Sequence, residues 1–451
     1  MPRQRAERTL RGMATLFDEL SPPLSQEEAI AAADRCLECG GHHAVAPCVV
    51  ACPAGVDVPA FVAAIARGDA VGAGRIVYAD NLLGGACARV CPVELLCQGA
   101  CVLLHEGRSP VEVGRLQRIA CDAALAAAGE PRERTPFNWL RVAVIGAGPA
   151  GLACAGELAA LGYEVTVYDR RLEPGGLVRY AIAPYRLAQE PLPEEARVLA
   201  GLGVHFELGI AIDTPEALAE IEADSDAVVL AIGMGADADV HYPGETLPGV
   251  WDSLPFIEQI KTGEPPDIGA SVAVIGGGNT AIDVAREAAR LGAKRVTLLY
   301  RRTRSEMPAY PHEVEEAEAE GVEIEWLTVP VRMVGQTRVE AVECRRAQLG
   351  HPDASGRRRP EEIPGSEFLV SAATVVKAIG QQPHGDFLSL VGGLDLEDGK
   401  IVVDPETGAT SKAGWFAAGD ATNGGATVVE AVRQAKIAAH GVHEALNEGW
   451  A

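Results

Sequence analysis

Eight of the eleven cysteines are gathered in two short stretches. CLECGGHHAVAPCVVACP (36–53) holds four of them and CARVCPVELLCQGAC (87–101) holds the other four. In a reducing cytosol, cysteines this dense and with C-x2-C spacing are more typical of metal ligands than of disulfides. Sites with four thiolates can hold either an iron–sulfur cluster or a zinc ion. The two stretches therefore predict metal sites, of iron–sulfur clusters or of zinc.

A glycine loop provides the second kind of chemistry. LRVAVIGAGPAG (140–151) runs from an apolar strand into G-x-G-x-x-G and then into a helix, the context in which this motif binds a dinucleotide pyrophosphate. Asp169 ends the next predicted strand, where an acid accepts hydrogen bonds from ribose hydroxyls. The predicted cofactor contacts are Gly146, Gly148, Pro149, Ala150, Gly151 and Asp169.

A second glycine loop repeats the scheme. SVAVIGGGNTAIDVAR (271–286) has G-x-G-x-x-A spacing, and the following strand ends in YRRTR rather than in an acid. An acid there would bind a free 2′-hydroxyl, whereas two guanidinium groups suit a 2′-phosphate. The alternative is that one of the two arginines pairs with a nearby acid. We predict NADP(H) here, with NAD(H) as the alternative. The predicted contacts are Gly276, Gly278, Asn279, Thr280, Arg301 and Arg302.

The elements that must position these residues change along the chain. Up to about residue 135 the sequence favours helices, and one of them begins with Ser25 and Glu28 in capping-box spacing. EPRERTPFNW (130–139) is polar and carries two prolines, which predicts a linker. Beyond it, apolar strands alternate with helices around the two glycine loops, so the expected fold class is α/β.

Composition excludes some classes of partner. The formal net charge of −24 disfavours nucleic acid, which needs clustered cations, and it disfavours anionic membranes as well. The start of the chain has no apolar segment like that of a signal peptide, and no run of 18 apolar residues occurs anywhere. We therefore expect a cytoplasmic protein of about three domains that binds neither nucleic acid nor membrane.

Seven motifs, in order, resemble one known family: RCLECG, ACPAGVDVPAF, RVCP, GAGPAGLACAGELA, GGGNTAIDVAR, YRRTRSEMPA and AAGDATNGGATVVEAV. They are similar to the small (beta) subunit of bacterial NADPH-dependent glutamate synthase and its relatives. Among these are the flavin half of dihydropyrimidine dehydrogenase and the large subunit of NADH-dependent ferredoxin:NADP oxidoreductase. The resemblance spans nearly the whole chain.

The resemblance implies a domain order. An α-helical iron–sulfur domain (1–135) would precede two Rossmann-like domains of the glutathione reductase type. The FAD-binding domain would come in two parts (136–255 and 376–451), with the NADP(H)-binding domain (256–375) inserted between them.

The same resemblance assigns FAD to the first glycine loop. EPGGLVRYAI (173–182) is similar to a loop that wraps FAD. The stretch that contains Gly419 would bring an aspartate to the ribityl and phosphate region, and a helix N-terminus to the isoalloxazine. The further cofactor contacts implied are Gly176, Leu177, Gly380, Gly419, Asp420 and Thr427.

In this family the helical domain binds two [4Fe–4S] clusters. By motif, the first cluster would take Cys36, Cys39, Cys48 and Cys101. The second would take Cys52, Cys91, Cys97 and, as in the dihydropyrimidine dehydrogenase branch, the amide of Gln117. The alternative leaves Gln117 in a capping or packing role and makes Cys87 the eighth ligand.

One departure from the family lies between Cys39 and Cys48. Eight residues, GGHHAVAP, separate them where the family usually has about half as many. His42 or His43 could then approach the first cluster, as in clusters with mixed ligands; a solvent-exposed insertion is the favoured interpretation.

The implied activity is that of an NADPH-dependent FAD and iron–sulfur oxidoreductase. Cys344 is the only cysteine near the second glycine loop, so a dithiol cycle of the thioredoxin reductase kind is excluded. Electrons would leave through the clusters to a partner subunit similar to the glutamate synthase large subunit or to an FMN-barrel dehydrogenase. The alternatives are a stand-alone reductase serving ferredoxin or another acceptor, and a non-enzymatic scaffold with structural zinc.

Overall fold

The computed structural model describes residues 17, 19, 22–40, 45–127, 132–188, 190–353 and 356–448. His42 and His43 lie outside these residues. The chain divides into two compact units. The larger unit comprises Glu19–Arg179, Gln189–Met234 and Pro383–Ala451, and the smaller comprises Met1–Asp18, Tyr180–Ala188 and Gly235–Gln382.

The larger unit begins with a helical layer. Its helices, numbered along the whole chain, are α1 (Gln26–Ala33), α2 (Pro47–Val50), α3 (Val58–Ala66), α4 (Ala70–Asp80), α5 (Gly84–Val90) and α6 (Val113–Ala126). The predicted capping box is confirmed, because Ser25 and Glu28 bond each other's backbone N–H at the start of α1. Helices α4 and α6 pack closely, since a Cβ on Gly74 would lie 2.1 Å from the Ala120 carbonyl oxygen.

A five-stranded parallel sheet forms the rest of the larger unit. Its strands are β1 (Arg141–Ile145), β2 (Glu164–Asp169), β3 (His205–Leu208), β4 (Ala227–Leu230) and β16 (Trp415–Ala417), in the order β16-β4-β1-β2-β3. The helices of this part are α7 (Pro149–Ala160), α8 (Gly176–Tyr180), α9 (Leu192–Gly201), α10 (Pro215–Asp224), α14 (Gly385–Val391), α15 (Asp420–Asn423) and α16 (Val428–Glu448). A short hairpin pairs β14 (Leu396–Glu397) with β15 (Lys400–Ile401). Because β1 lies between β2 and β4, the chain reverses direction across the sheet at β1, where such sheets bind ligands.

The smaller unit has a parallel sheet of the same type. Its strands are β5 (Val250–Asp252), β6 (Ser271–Ile275), β7 (Arg295–Tyr300), β8 (Val322–Trp326) and β13 (Thr374–Lys377), in the order β5-β13-β6-β7-β8. Its helices are α11 (Ser253–Lys261), α12 (Asn279–Arg290) and α13 (Pro311–Ala319), and antiparallel pairing joins β9 (Thr328–Val334), β10 (Ala341–Pro352), β11 (Arg358–Glu362) and β12 (Phe368–Ser371). A helical layer followed by two Rossmann-like sheets confirms the predicted fold class.

The core of the smaller unit includes a distant piece of the chain. Ala183 and Tyr185 are fully buried in the same apolar cluster as Phe256 and Ile282. The Tyr185 hydroxyl donates to an Asp283 carboxylate oxygen at 2.7 Å. The segment Tyr180–Ala188 is therefore part of this core.

Among the helices in the described part of the chain, none combines the length and the apolar character needed to cross a bilayer.

Candidate cofactor sites

The first glycine loop lies at the carboxyl edge of β1 and has no room for a side chain at two of its glycines. Gly146 has φ +109°, and a Cβ there would lie 2.3 Å from the Ala231 carbonyl oxygen. A Cβ on Gly151 would lie 1.8 Å from the Gly146 carbonyl oxygen. Only glycine fits at these two positions, and α7 begins directly behind the loop. This is the shape that accepts a diphosphate at a helix N-terminus.

Asp169 and the following loop close around the same edge. Ile145 pairs with Tyr168, so the strand end that carries Asp169 lies beside Gly146. The Asp169 carboxylate accepts a hydrogen bond from the Ala147 N–H at 2.7 Å. The start of α8 also reaches the loop, since a Cβ on Gly176 would lie 2.8 Å from the Gly148 Cα.

The C-terminal motif reaches this edge as well. Gly419, with φ +78°, lies against α7, since its Cβ would come within 2.7 Å of the Ala150 Cβ. Asp420 accepts a hydrogen bond from the Ala426 N–H at 3.1 Å, and burial raises the pKa of its carboxyl. Thr427 caps α16. The structure thus gathers at one edge Gly146, Gly148, Pro149, Ala150, Gly151, Asp169, Gly176, Leu177, Gly419, Asp420 and Thr427. The arrangement fits a dinucleotide.

The second glycine loop has the same design in the smaller unit. Gly276 has φ +145°, and a Cβ there would lie 2.1 Å from the Ala378 carbonyl oxygen. Gly278 faces open space and Thr280 is exposed. The Asn279 side-chain oxygen accepts from the Tyr310 N–H at 3.0 Å, which fixes the loop after β7 against the start of α12. Gly380, also among the predicted contacts, follows β13 with φ +108°.

The two arginines after β7 have different surroundings. Arg302 is 4% exposed, and its guanidinium donates to Asp353 at 2.7 Å and to the Arg358 carbonyl oxygen at 2.8 Å. Arg301 is exposed and forms no ion pair with any described residue. The pairing of one arginine with an acid, considered above as the alternative, is what the structure shows for Arg302. At this strand end Arg301 is therefore an exposed cation without an ion-pair partner among the described residues.

Two cavities lined by sulfur lie in the helical layer. The first, of about 430 Å³ including space open to solvent, is lined by Cys36, Cys39, Cys48, Cys97 and Cys101 together with apolar side chains. The second, of about 360 Å³ on the same measure, is lined by Cys52, Cys87, Cys91, Cys97, Gln117 and Val429 among others. Each predicted ligand set lines its own cavity, and Cys97 borders both.

The second cavity contains both candidates for the eighth ligand. Cys87 is 1% exposed and its thiol hydrogen-bonds that of Cys91, which raises the pKa of Cys91. Gln117 donates from its amide nitrogen to the Gly84 carbonyl oxygen at 2.7 Å. No described residue donates to its amide oxygen, which leaves that atom available as a ligand.

Burial disfavours ionisation of two of these thiols. Burial raises the pKa of Cys48 to about 11 and that of Cys97 to about 12. Metal binding deprotonates thiols outright and removes this penalty. Within the described residues, no three His, Cys, Asp or Glu side chains converge as the ligands of a single metal ion would. The thiols lining each cavity are donors that suit a four-iron cluster, and such thiols also suit zinc.

Comparison with known proteins agrees with this geometry. The glutamate synthase [NADPH] small chain of Azospirillum brasilense is 36% identical over 444 residues, which cover 95% of this chain and 91% of that one. This chain belongs to the glutamate synthase small-chain family. It is therefore an NAD(P)H-dependent oxidoreductase, as predicted.

Two family models match this chain. Pyridine nucleotide-disulphide oxidoreductase matches residues 140–435, and dihydropyrimidine dehydrogenase domain II, 4Fe-4S cluster, matches residues 13–128. These matches imply binding of FAD and NADP and of a 4Fe–4S cluster.

Two further similar proteins differ in sequence identity and in the share of each chain that the match covers. The NADP(+)-dependent formate dehydrogenase subunit beta of Moorella thermoacetica is 38% identical over 433 residues, which cover 90% of this chain but only 60% of the relative. The solved structure of Mycobacterium tuberculosis FprA in complex with NADPH matches with a TM-score of 0.58 at 20% identity, over 70% of this chain and 85% of that one. The second likeness shows the fold alone.

Sequence reasoning missed a buried carboxyl beside the helix that leads to the second cavity. Glu195, on α9, accepts hydrogen bonds from the N–H groups of Gly85 and Ala86 at 2.7 and 3.3 Å and from the Tyr78 hydroxyl at 3.2 Å. Burial raises the pKa of Glu195 to about 8, and these hydrogen bonds oppose the rise. No local pattern signals this residue, because its partners lie over 100 positions away.

The raised pKa of Glu195 predicts a pH-dependent stability. The folded state holds a proton up to about pH 8 that the unfolded chain releases near pH 4.5. This stabilisation is therefore complete below pH 4.5 and lost as the pH rises to 8. The glutamine of Glu195→Gln is neutral at every pH. The melting temperature of this variant minus that of the wild type should therefore increase by a few degrees as the pH rises from 5 to 8.5. Glu194→Gln, at the half-exposed neighbouring position, is the control. A difference in melting temperature between wild type and Glu195→Gln that stays constant from pH 5 to pH 8.5 would refute the assignment.

Proposed function

We propose that this chain passes electrons from NADPH through FAD to two [4Fe–4S] clusters and on to a partner subunit. The observation that carries the proposal is the position of Val429. It lies in the first turn of α16, beside the proposed FAD contacts, and lines the second sulfur cavity with Cys52, Cys91 and Cys97. The first turn of α16 thus borders both the proposed FAD contacts and the second sulfur cavity.

When bound beside Gly146 and Asp169, FAD would supply two-electron hydride chemistry with NADPH, and clusters held by the two cysteine sets would supply one-electron transfer. The chain contributes position and electrostatics. Its glycine loops hold each diphosphate against a helix N-terminus. Asp169 fixes a ribose, and the Arg301 guanidinium binds the 2′-phosphate.

Exposed apolar residues lie close in sequence to the first cysteine set, and one of them, Leu37, lines the first cavity. This rim, defined as Leu37, Val45, Val50, Leu95 and Leu104, has side chains that are 43–73% exposed, and each lies within three residues of a cysteine of the first set or of Cys97. Large apolar groups in water beside a redox site are typical of a docking surface. The rim supports electron exit at the first cluster, into a partner that buries it.

The related proteins named above include a small chain and a beta subunit, which supports a partner that carries the substrate-converting site. A glutamate synthase large subunit is the partner favoured by the family. The presence of Gln117 in the second cavity favours, as second candidate, an electron-input role in a dihydropyrimidine dehydrogenase. A stand-alone reductase of ferredoxin remains the third.

Anaerobic titration with NADPH tests the electron path. We expect the flavin absorbance to bleach, reduced-cluster signals to follow in the EPR spectrum, and iron analysis to find roughly eight atoms per chain. These results follow because a flavin adjoining a cluster site can pass on single electrons. Zinc in place of iron, or a bleached flavin with clusters that stay oxidised, would overturn the proposal.

Anaerobic co-purification from the native host then separates the three partners. A bound amidotransferase identifies glutamate synthase, and a bound FMN-barrel protein identifies pyrimidine reduction. A chain that elutes alone and reduces ferredoxin with NADPH identifies the stand-alone reductase.

A further inference from the structure

Lys436 connects α16, which begins beside the proposed FAD contacts, to the turn after Cys52, a proposed ligand of the second cluster. Lys436 lies on α16, seven residues and hence two turns after Val429, so both side chains project from the same face. Its ammonium donates to the carbonyl oxygens of Ala54 at 2.9 Å and Asp80 at 2.8 Å. These acceptors belong to two separate elements of the helical layer.

The first acceptor belongs to the turn that holds Cys52. The Gly55 N–H bonds the Cys52 carbonyl oxygen at 2.9 Å and closes this turn. The N–H groups of Val56, Ala54 and Gly55 are directed at the sulfur of Cys52. Lys436 therefore binds the back of a turn whose N–H groups point at a proposed cluster ligand.

The second acceptor closes α4. The last carbonyls of a helix lack intrahelical partners and carry partial negative charge, which attracts a cation. The side chain of Asp80 also accepts from the Asp57 N–H at 3.1 Å, where α3 begins. By donating a hydrogen bond to the Asp80 carbonyl oxygen, Lys436 holds α16 against the junction of α3 and α4.

The charge on Lys436 has no carboxylate partner among the residues that the structure describes. In a chain of net charge −24, an unpaired and half-buried ammonium is unusual. Lys436 binds the carbonyl of Ala54, which is two residues after the proposed ligand Cys52. A positive charge near a cluster favours its reduced, more negative state. The residue thus contributes both a mechanical tether and a local field.

We infer that Lys436 is a positioning residue that sets the separation of the flavin-side helix from the second cluster and raises the reduction potential of that cluster. The inference rests on the proposed function. It assigns no chemical step to Lys436, which acts through the Ala54 and Asp80 carbonyls.

The test compares Lys436→Met, which removes charge and donors, with Lys436→Arg, which keeps both. Each holoprotein is mixed anaerobically with NADPH. We expect flavin bleaching to be unchanged and the reduced signal of the second cluster to appear about tenfold or more slowly in Lys436→Met, the scale of losses typical for groups that support metal ligands. Its midpoint potential should shift to more negative values, and Lys436→Arg should restore both quantities.

Two more variants keep the test decisive. Arg433→Met removes a cation from the same helix that, within the described part of the chain, pairs with Glu430 of its own helix, and should match the wild type. If Lys436→Met fails to fold, Lys436→Gln, which keeps a donor without the charge, should still lower the potential. Wild-type rate and potential in Lys436→Met or wild-type potential in Lys436→Gln would overturn the positioning role while leaving the proposed function intact. A wild-type flavin that NADPH does not bleach would instead overturn the function itself.

Discussion

Gln117→Leu is expected to lower the iron content from roughly eight to roughly four atoms per chain, whereas Cys87→Ala leaves it unchanged. Leucine keeps the bulk of the side chain and removes the amide oxygen that we propose as the fourth ligand of the second cluster. That oxygen is available because the amide nitrogen is committed to the Gly84 carbonyl. Iron analysis of anaerobically purified protein, with EPR of the remaining cluster, measures the outcome.

The reverse result would make Cys87 the ligand. Its thiol lies in the same cavity, and a thiolate is the usual ligand of such clusters. Cys121→Ala is the matched control for Cys87→Ala, because Cys121 is an equally buried cysteine that lines neither cavity. Loss of iron in Cys87→Ala alone, with Gln117→Leu and Cys121→Ala at full content, would reverse the assignment.

Arg301→Ala is expected to reduce kcat/KM for NADPH about ten- to hundredfold and to leave that for NADH nearly unchanged. The two coenzymes differ only in the 2′-phosphate, and Arg301 is an exposed cation at the strand end beside the second glycine loop. A charge-assisted bond to that phosphate is lost with the guanidinium. Initial rates with both coenzymes measure the selectivity ratio.

Arg302→Ala should behave differently from Arg301→Ala. Its buried pairing with Asp353 predicts a loss of thermal stability and a smaller change in coenzyme selectivity. Arg295→Ala, at the opposite end of the same strand and paired with Glu323, is the control for removing a surface charge. Equal selectivity in Arg301→Ala and wild type would mean that the 2′-phosphate is bound elsewhere.

Much of this molecule is predictable because its signals are local. The C-x2-C spacing within each cysteine stretch indicates a metal site, and the glycine loops follow apolar strands directly. The capping box at Ser25 is a pattern of four residues. These signals lie within short segments, so spacing indicates them, whereas each proposed ligand set combines cysteines of both stretches and comes from the family resemblance.

The remainder depends on contacts between distant parts of the chain. Arg302 meets Asp353 across 51 positions, and Lys436 meets Ala54 across 382. Charge alone could not tell which of Arg301 and Arg302 would be buried, since adjacent residues at a strand end point in opposite directions. The pKa of Glu195 likewise depends on burial that only the packed structure provides.

The segment Tyr180–Ala188 has a practical consequence for dissecting the protein. A fragment limited to residues 256–375 would omit Tyr185, which bonds Asp283 and lies under the guanidinium groups of Arg286 and Arg290 at 4.7 Å from each. Such a fragment would have a cavity in its core in place of the Tyr185 side chain, and the buried Asp283 carboxylate would lose its hydrogen bond from the Tyr185 hydroxyl. Autonomous expression of the nucleotide-binding half therefore requires grafting these nine residues back, by circular permutation or as a peptide added in trans.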